Sequence, residues 1–105
     1  MVSTDTLRKL LSYNENTGEL TWRSRSVDAF KSEREHKRWN TRYANTIAGS
    51  RDPSGYYLIK IFGKQYNAHR IIYQYVTGSV PEIIDHKDGD PSNNRFNNLR
   101  DVNTT

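Results

Sequence analysis

The chain has 105 residues, a net charge of +4 and only 33% hydrophobic residues, so it holds one small domain with a modest core. It contains no cysteine, which excludes disulfide frameworks, zinc ribbons and thiol nucleophiles. No apolar run approaches the ~18 residues of a membrane span and no signal peptide is recognisable, so no membrane partner and a cytoplasmic location are expected.

In chain order, Ser3 and Thr4 precede Leu7, Leu10 and Leu11, the spacing of a short capped helix. Asn14 to Gly18 form a turn cluster, after which Leu20 and Trp22 alternate with polar residues as in a strand. Within the polar stretch 28–46, Ser32 and Glu35 have capping-box spacing, and His36, Trp39 and Tyr43 share one face of the predicted helix. Pro53-Ser54-Gly55 signals a turn; Tyr56 to Phe62 reads as a strand, Gly63-Lys64 as the hairpin closure and Gln65 to Ala68 as the return strand. Ile71, Ile72, Tyr75 and Val76 form the buried stripe of a helix ended by Gly78. Ile83-Ile84 starts a short strand, the polar stretch Asp85 to Asn94 follows, and a second strand runs from Leu99 to Val102. Asn103, Thr104 and Thr105 are helix-starting residues. The aromatic residues, 11% of the chain, are expected to supply much of the packing, with Trp22 and Trp39 in the core.

Charge is unevenly spread. Residues 21–70 hold eleven basic and four acidic residues, whereas residues 71–105 hold three basic and five acidic. A basic middle suits a polyanion such as nucleic acid, through counterion release from its phosphates. An acidic end suits a cation.

The segment richest in chemistry is Ile83 to Val102, I-I-D-H-K-D-G-D-P-S-N-N-R-F-N-N-L-R-D-V. Asp85 and His86 are adjacent, and successive strand residues face opposite sides, so both line one site only if the strand ends or bends there. Gly89 and Pro91 are expected to supply that bend. A carboxylate is a hard ligand suited to Mg²⁺, and a neutral imidazole takes a proton near pH 7; together they suit phosphodiester hydrolysis. An EF-hand is excluded on spacing: Gly89 in sixth place puts Ile84 first and His86 third, where oxygen ligands are required. Asp88, Asp90, Asn93, Asn94 and Asn97 read as turn residues.

From about Tyr13 to the end, and best from Gly55 onward in G-Y-Y-L-I-K-I-F-G-K-Q-Y-N-A-H-R, I-D-H-K-D-G-D and N-N-R-F-N-N-L-R, the chain resembles the phage and homing HNH endonucleases of the His-Me finger, or ββα-metal, superfamily. The resemblance implies an α+β fold of small β-hairpins and short helices, with a C-terminal ββα-metal module whose last helix is cut short. It implies that His86 is the general base, Asp85 the metal-binding carboxylate and Asn98 the residue that braces the loop and orients the histidine. The implied reaction is metal-assisted hydrolysis of DNA, with Mg²⁺ or Mn²⁺ as cofactor, leaving 5′-phosphate and 3′-hydroxyl ends. The family's third motif residue would fall beyond Thr105 by spacing.

Residues 1–68 are then the basic DNA-binding part and 69–105 the catalytic module. Candidate contacts to double-stranded DNA are Arg23, Arg25, Arg34, Lys37, Arg38, Arg42, Lys60 and Lys64, with Arg70 reaching a phosphate and Lys87 and Arg95 flanking the site. His69 is expected to pack or to buttress the active-site hairpin, and His36 to lie on the surface. The chain is expected to act as a monomer or weak dimer. A DNA-binding module without cleavage is the alternative reading, and a metal-stabilised structural protein the third.

Overall fold

A computed structural model describes residues 2–102. Helix α1 (Thr4–Leu10) begins where Ser3 Oγ accepts a hydrogen bond from the Thr6 amide at 3.2 Å, and it buries Leu7 and Leu10. The chain then extends directly into an antiparallel hairpin, β1 (Leu11–Asn14) and β2 (Glu19–Trp22), with Leu11 opposite Trp22. Its turn is held by Asn14 Oδ1, which accepts from the Asn16 amide at 2.9 Å.

Helix α2 (Glu33–Tyr43) starts where Ser32 Oγ accepts from the Glu35 amide. Its apolar face carries Trp39, whose ring lies 5.3 Å from Tyr43 and 6.2 Å from Phe30. The face meets β2 through Trp39, whose ring lies edge-on to Trp22 at 6.0 Å, and Arg25 covers both rings, its guanidinium 3.9 Å from the Trp39 ring centre and 5.3 Å from that of Trp22. His36, expected at the surface, is half-buried, and its Nε2 lies 2.7 Å from the Arg25 carbonyl oxygen.

Strands β3 (Ser50–Arg51), β4 (Tyr57–Ile61) and β5 (Lys64–Asn67) form an antiparallel sheet in that order. Ile61 pairs with Lys64, so the two turn residues are Phe62 and Gly63, one position earlier than the expected Gly63-Lys64. Both have positive φ, 50° and 79°, the signature of a turn that matches strand twist. Ala68, read as strand, begins helix α3 (Ala68–Thr77), which follows β5 without a break. The last elements are β6 (Ile84–His86) and β7 (Leu99–Asp101), antiparallel, with Asp85 opposite Arg100 and His86 opposite Leu99. Ile83 is exposed and outside the strand, and the helix expected from Asn103 lies outside the described residues.

The fully buried large side chains are Leu7, Leu11, Ile59, Ile61 and Ile72, drawn from α1, β1, β4 and α3. Aliphatic residues fill the centre, each worth ~1.5–3 kcal/mol on burial, and Tyr13, Trp22, Tyr57, Tyr66, Tyr73 and Tyr75 pack around them partly buried, so the aromatics supply the expected packing at the margin of the core. A tyrosine ring keeps its hydroxyl near water more easily than at the centre of so small a domain. One core thus joins residues on both sides of the expected 68/69 division.

Candidate active site

The β6–β7 hairpin is interrupted by a long polar loop, 87–98, whose backbone has few ladder partners of its own. Its side chains take over that work. Asn98 Oδ1 accepts from the Asp88 amide at 3.1 Å, while Asn98 Nδ2 donates to Asp88 Oδ1 and to the Asn93 carbonyl, each at 2.9 Å. Asn93 Nδ2 donates to Asp88 Oδ2 at 2.8 Å. The Asn93 bond, the Asp90 amide and the Asn98 bond hold the Asp88 carboxyl down to about pH 2, so it stays ionised as the loop's internal anchor. Asp90 does the same locally, its Oδ1 accepting from the amide and hydroxyl of Ser92.

His86 closes β6 on the inner side of this loop. It is 7% exposed, and its Nε2 lies 2.9 Å from Asn94 Oδ1. With the Asn94 amide oxygen facing it, Nε2 is the donor of this bond. The His86 ring lies edge-on to His69 at 4.8 Å and to Tyr56 at 6.0 Å. Burial first, then the neighbouring His86 and Arg70, push His69 down to about 4, so His69 is a neutral wall beside His86. Of the two expected roles of His69, packing and buttressing, the geometry merges both.

The contact to His86 comes from Asn94, not from Asn98. The sequence reading placed Asn94 among the turn residues, but it is 4% exposed and supplies the acceptor. Asn98 braces the loop and leaves the ring alone. No periodicity marks Asn94, since it sits in an irregular loop; only tertiary structure distinguishes it from Asn93.

Asp85 points elsewhere. Its Oδ2 accepts from Arg100 Nη2 across the β6–β7 pair, and 44% of its side chain is exposed. The bend expected to turn Asp85 and His86 inward together begins only after His86, where the Gly89 amide reaches the His86 carbonyl at 2.9 Å. Strand alternation therefore survives, and the two side chains have different neighbours. Among the described residues, no three His, Cys, Asp or Glu side chains gather into a metal-holding group. Asp85 is one half-exposed oxygen donor of the type a hard cation takes.

The N-terminal hairpin supports the loop from behind. The Tyr13 hydroxyl donates to the Asn94 carbonyl, and burial, then the charge of Glu15, raises that hydroxyl to about 12, which keeps it a donor. Arg95 Nε donates to the Asn16 carbonyl at 2.7 Å. Gly18, with φ 80°, lies so close that a Cβ there would sit 2.6 Å from the Asn94 carbonyl carbon. None of these three supports was anticipated from sequence.

The candidate basic residues divide into three groups. Lys37 and Arg38 on α2, Lys60 and Lys64 on the β4–β5 ribbon, and Lys87 beside His86 are exposed, as are Arg34 and Arg42. Arg25 and Arg70, expected as DNA contacts, have structural neighbours instead. Arg25 is half-buried between tryptophans, and burial lowers its affinity for the proton. Arg70 donates from Nη2 to the Pro81 carbonyl at 2.7 Å and from Nη1 to the Glu82 carbonyl, fixing the entry to β6. Arg23 and Arg95 are exposed but each commits Nε to a backbone carbonyl, Leu11 and Asn16 respectively.

No helix among the described residues is long and apolar enough to cross a membrane. Residues 66–104 match the HNH endonuclease family, a segment containing α3, the β6–β7 pair, the polar loop, His69, Asp85, His86, Asn94 and Asn98. No curated protein and no solved structure matches the chain.

Proposed function

We propose that this chain, whose C-terminal segment is of the HNH endonuclease type, hydrolyses phosphodiester bonds in double-stranded DNA with His86 as general base. The observation that carries this reading is the place of His86 within the matched segment, buried at the end of β6 with its Nε2 2.9 Å from Asn94 Oδ1. In the proposed step Nδ1 takes a proton from water, the water oxygen bonds to phosphorus as the bond from phosphorus to the 3′ oxygen breaks, and the departing 3′ oxygen takes a proton from solvent, giving 5′-phosphate and 3′-hydroxyl ends. Lys87, exposed and next to His86 in the chain, is the proposed attractor of the phosphate. Lys37, Arg38, Lys60 and Lys64 are the proposed backbone contacts, and Arg23 and Arg95 have the remaining guanidinium nitrogens to offer.

Asp85 is the proposed holder of a divalent ion, Mg²⁺ or Mn²⁺. Its pair with Arg100 is a surface ion pair, a class worth ~0–1 kcal/mol, so a divalent cation has little to displace. When bound, such an ion supplies charge stabilisation to the leaving oxygen. β6, β7 and their loop form the two-stranded part of the proposed ββα-metal module.

The test is supercoiled plasmid incubated with protein and Mg²⁺ or Mn²⁺. Nicking or linearisation is expected, with EDTA and His86→Ala each abolishing it while gel-shift binding persists. Cleavage by His86→Ala at the parent rate refutes the assignment of the base. The incomplete metal-holding group among the described residues favours a second reading, a DNA-binding module without cleavage. Salt-sensitive binding with no cleavage under either metal selects that reading.

A further inference from the structure

Phe62 sits at the tip of the β4–β5 ribbon with φ 50°, a conformation in which Asn or Gly is the favoured residue of such a turn. At 70% exposure it is the most exposed of the large hydrophobic side chains among the described residues. The backbone is strained there, and the ring gains almost no packing in return. Strain retained without a structural return points to a use outside the fold.

The position of the tip says what that use is. The root of the ribbon touches the candidate active site: the Tyr56 ring, just before β4, lies 6.0 Å from His86 and 5.8 Å from His69. β5 continues directly into α3, the helix that carries His69. The paired positions from Leu58–Asn67 to Ile61–Lys64 separate root from tip. From Tyr56 to Phe62 the chain advances six residues, about 20 Å at ~3.3 Å per residue, or roughly six base-pair steps of duplex DNA. Exposed Lys60 and Lys64 flank the aromatic tip, the charge a phosphate backbone selects.

We propose that Phe62 wedges between base pairs of duplex DNA, about six steps from the phosphate at His86, with Lys60 and Lys64 on the adjoining phosphates. Apolar wedges on basic arms are one way proteins deform a duplex, and contact of an aromatic ring with a base adds affinity without a base-specific hydrogen bond. This inference rests on the DNA-binding reading above.

The experiment measures binding of the 105-residue protein to a fluorescent 30-base-pair duplex by anisotropy over a salt series, alongside thermal melting. Phe62→Asn is expected to raise the melting temperature, because Asn tolerates the left-handed backbone, and to weaken DNA binding about 5- to 100-fold. The salt slope is expected to stay unchanged, because no charge is removed. Phe62→Trp is expected to keep the parent affinity within about 2-fold, since a ring remains to stack. Parent affinity in Phe62→Asn overturns the proposal while leaving the DNA-binding reading intact. Dissociation of a dimer by Phe62→Asn with parent DNA affinity also overturns it, assigning the ring to self-association. A parent protein that binds no duplex at low salt overturns both readings.

Discussion

Gly18→Ala probes whether the N-terminal hairpin holds the candidate catalytic loop in place, from 76 positions before Asn94. The new Cβ would stand 2.6 Å from the Asn94 carbonyl carbon and 2.7 Å from the Arg95 nitrogen, both backbone atoms that no side-chain rotation can clear. Ala at φ 80° costs ~1 kcal/mol by backbone strain, and relieving such an overlap costs typically ~1–3 kcal/mol more, for ~2–4 kcal/mol in total. At roughly 4–8 °C per kcal/mol for a domain near this size, the melting temperature falls by about 8–30 °C. Gly63→Ala is the control: its φ is 79°, yet its Cβ would meet nothing within 4 Å, so it pays the strain alone, ~1 kcal/mol. The assay is urea denaturation of both variants, with plasmid cleavage measured well below the melting temperature. Gly18→Ala is expected to lose cleavage at least ~10-fold because the displaced segment carries the Asn94 bond to His86. Equal stability losses in the two variants would refute the close packing of hairpin on loop, and parent-level cleavage in a destabilised Gly18→Ala would refute its link to His86.

Three further outcomes follow from the geometry. Asn94→Leu keeps the side-chain size but leaves the buried His86 Nε2–H unpaired; a stability loss of ~1–3 kcal/mol is expected, and nitrogen-15 spectra of His86 should show a mixed tautomer in place of a single one. Stability should fall with acid between about pH 6.5 and pH 4, because His69 takes a proton in the unfolded chain near 6.5 but only near 4 when folded, so the unfolded state binds more protons across that window. Partial solvent access limits this to ~1–3 kcal/mol, and His69→Gln, followed by denaturation against pH, should flatten that part of the curve. Arg25→Met should destabilise the α2 face by ~0.5–2 kcal/mol while changing the salt slope of DNA binding by less than Lys37→Met does, since Arg25 is half-buried between Trp22 and Trp39.

Local rules made the scaffold legible. Ser3 and Ser32 cap helices because a short hydroxyl before an amphipathic stretch satisfies free amides, and the spacing of Ile71 and Ile72 reports which face of α3 is buried. The hairpin turn was misplaced by one residue because Phe62 is a poor occupant of a left-handed position, and propensity alone moves the turn to Gly63-Lys64. The Asp-His pair and the Asn-Leu-Arg segment marked the candidate site, but the environment of each side chain was hidden. Asn94 and Asn93 are chemically identical neighbours, and only the approach of β1 and His86 buries one of them. Arg25 and Arg70 read as DNA contacts because a charge count cannot tell a guanidinium facing water from one spent on tryptophan faces or carbonyl oxygens.

The matched segment does not by itself define the candidate catalytic geometry. His86 is set by Asn94, and Asn94 is set in turn by the Tyr13 hydroxyl on its carbonyl and by the glycine-sized space at Gly18. Tyr56 closes another side of the imidazole, and Ile59 and Ile61 supply core for α3 to pack against. All five lie before residue 66, where the family match begins. The N-terminal two-thirds of the chain therefore carries more than a basic surface: it is the mould in which the polar loop, poor in backbone pairing of its own, keeps one shape. A loop built from Asp, Asn and Ser hydrogen bonds is locally consistent in many arrangements, and the hairpin against it favours the one in which Asn94 meets His86.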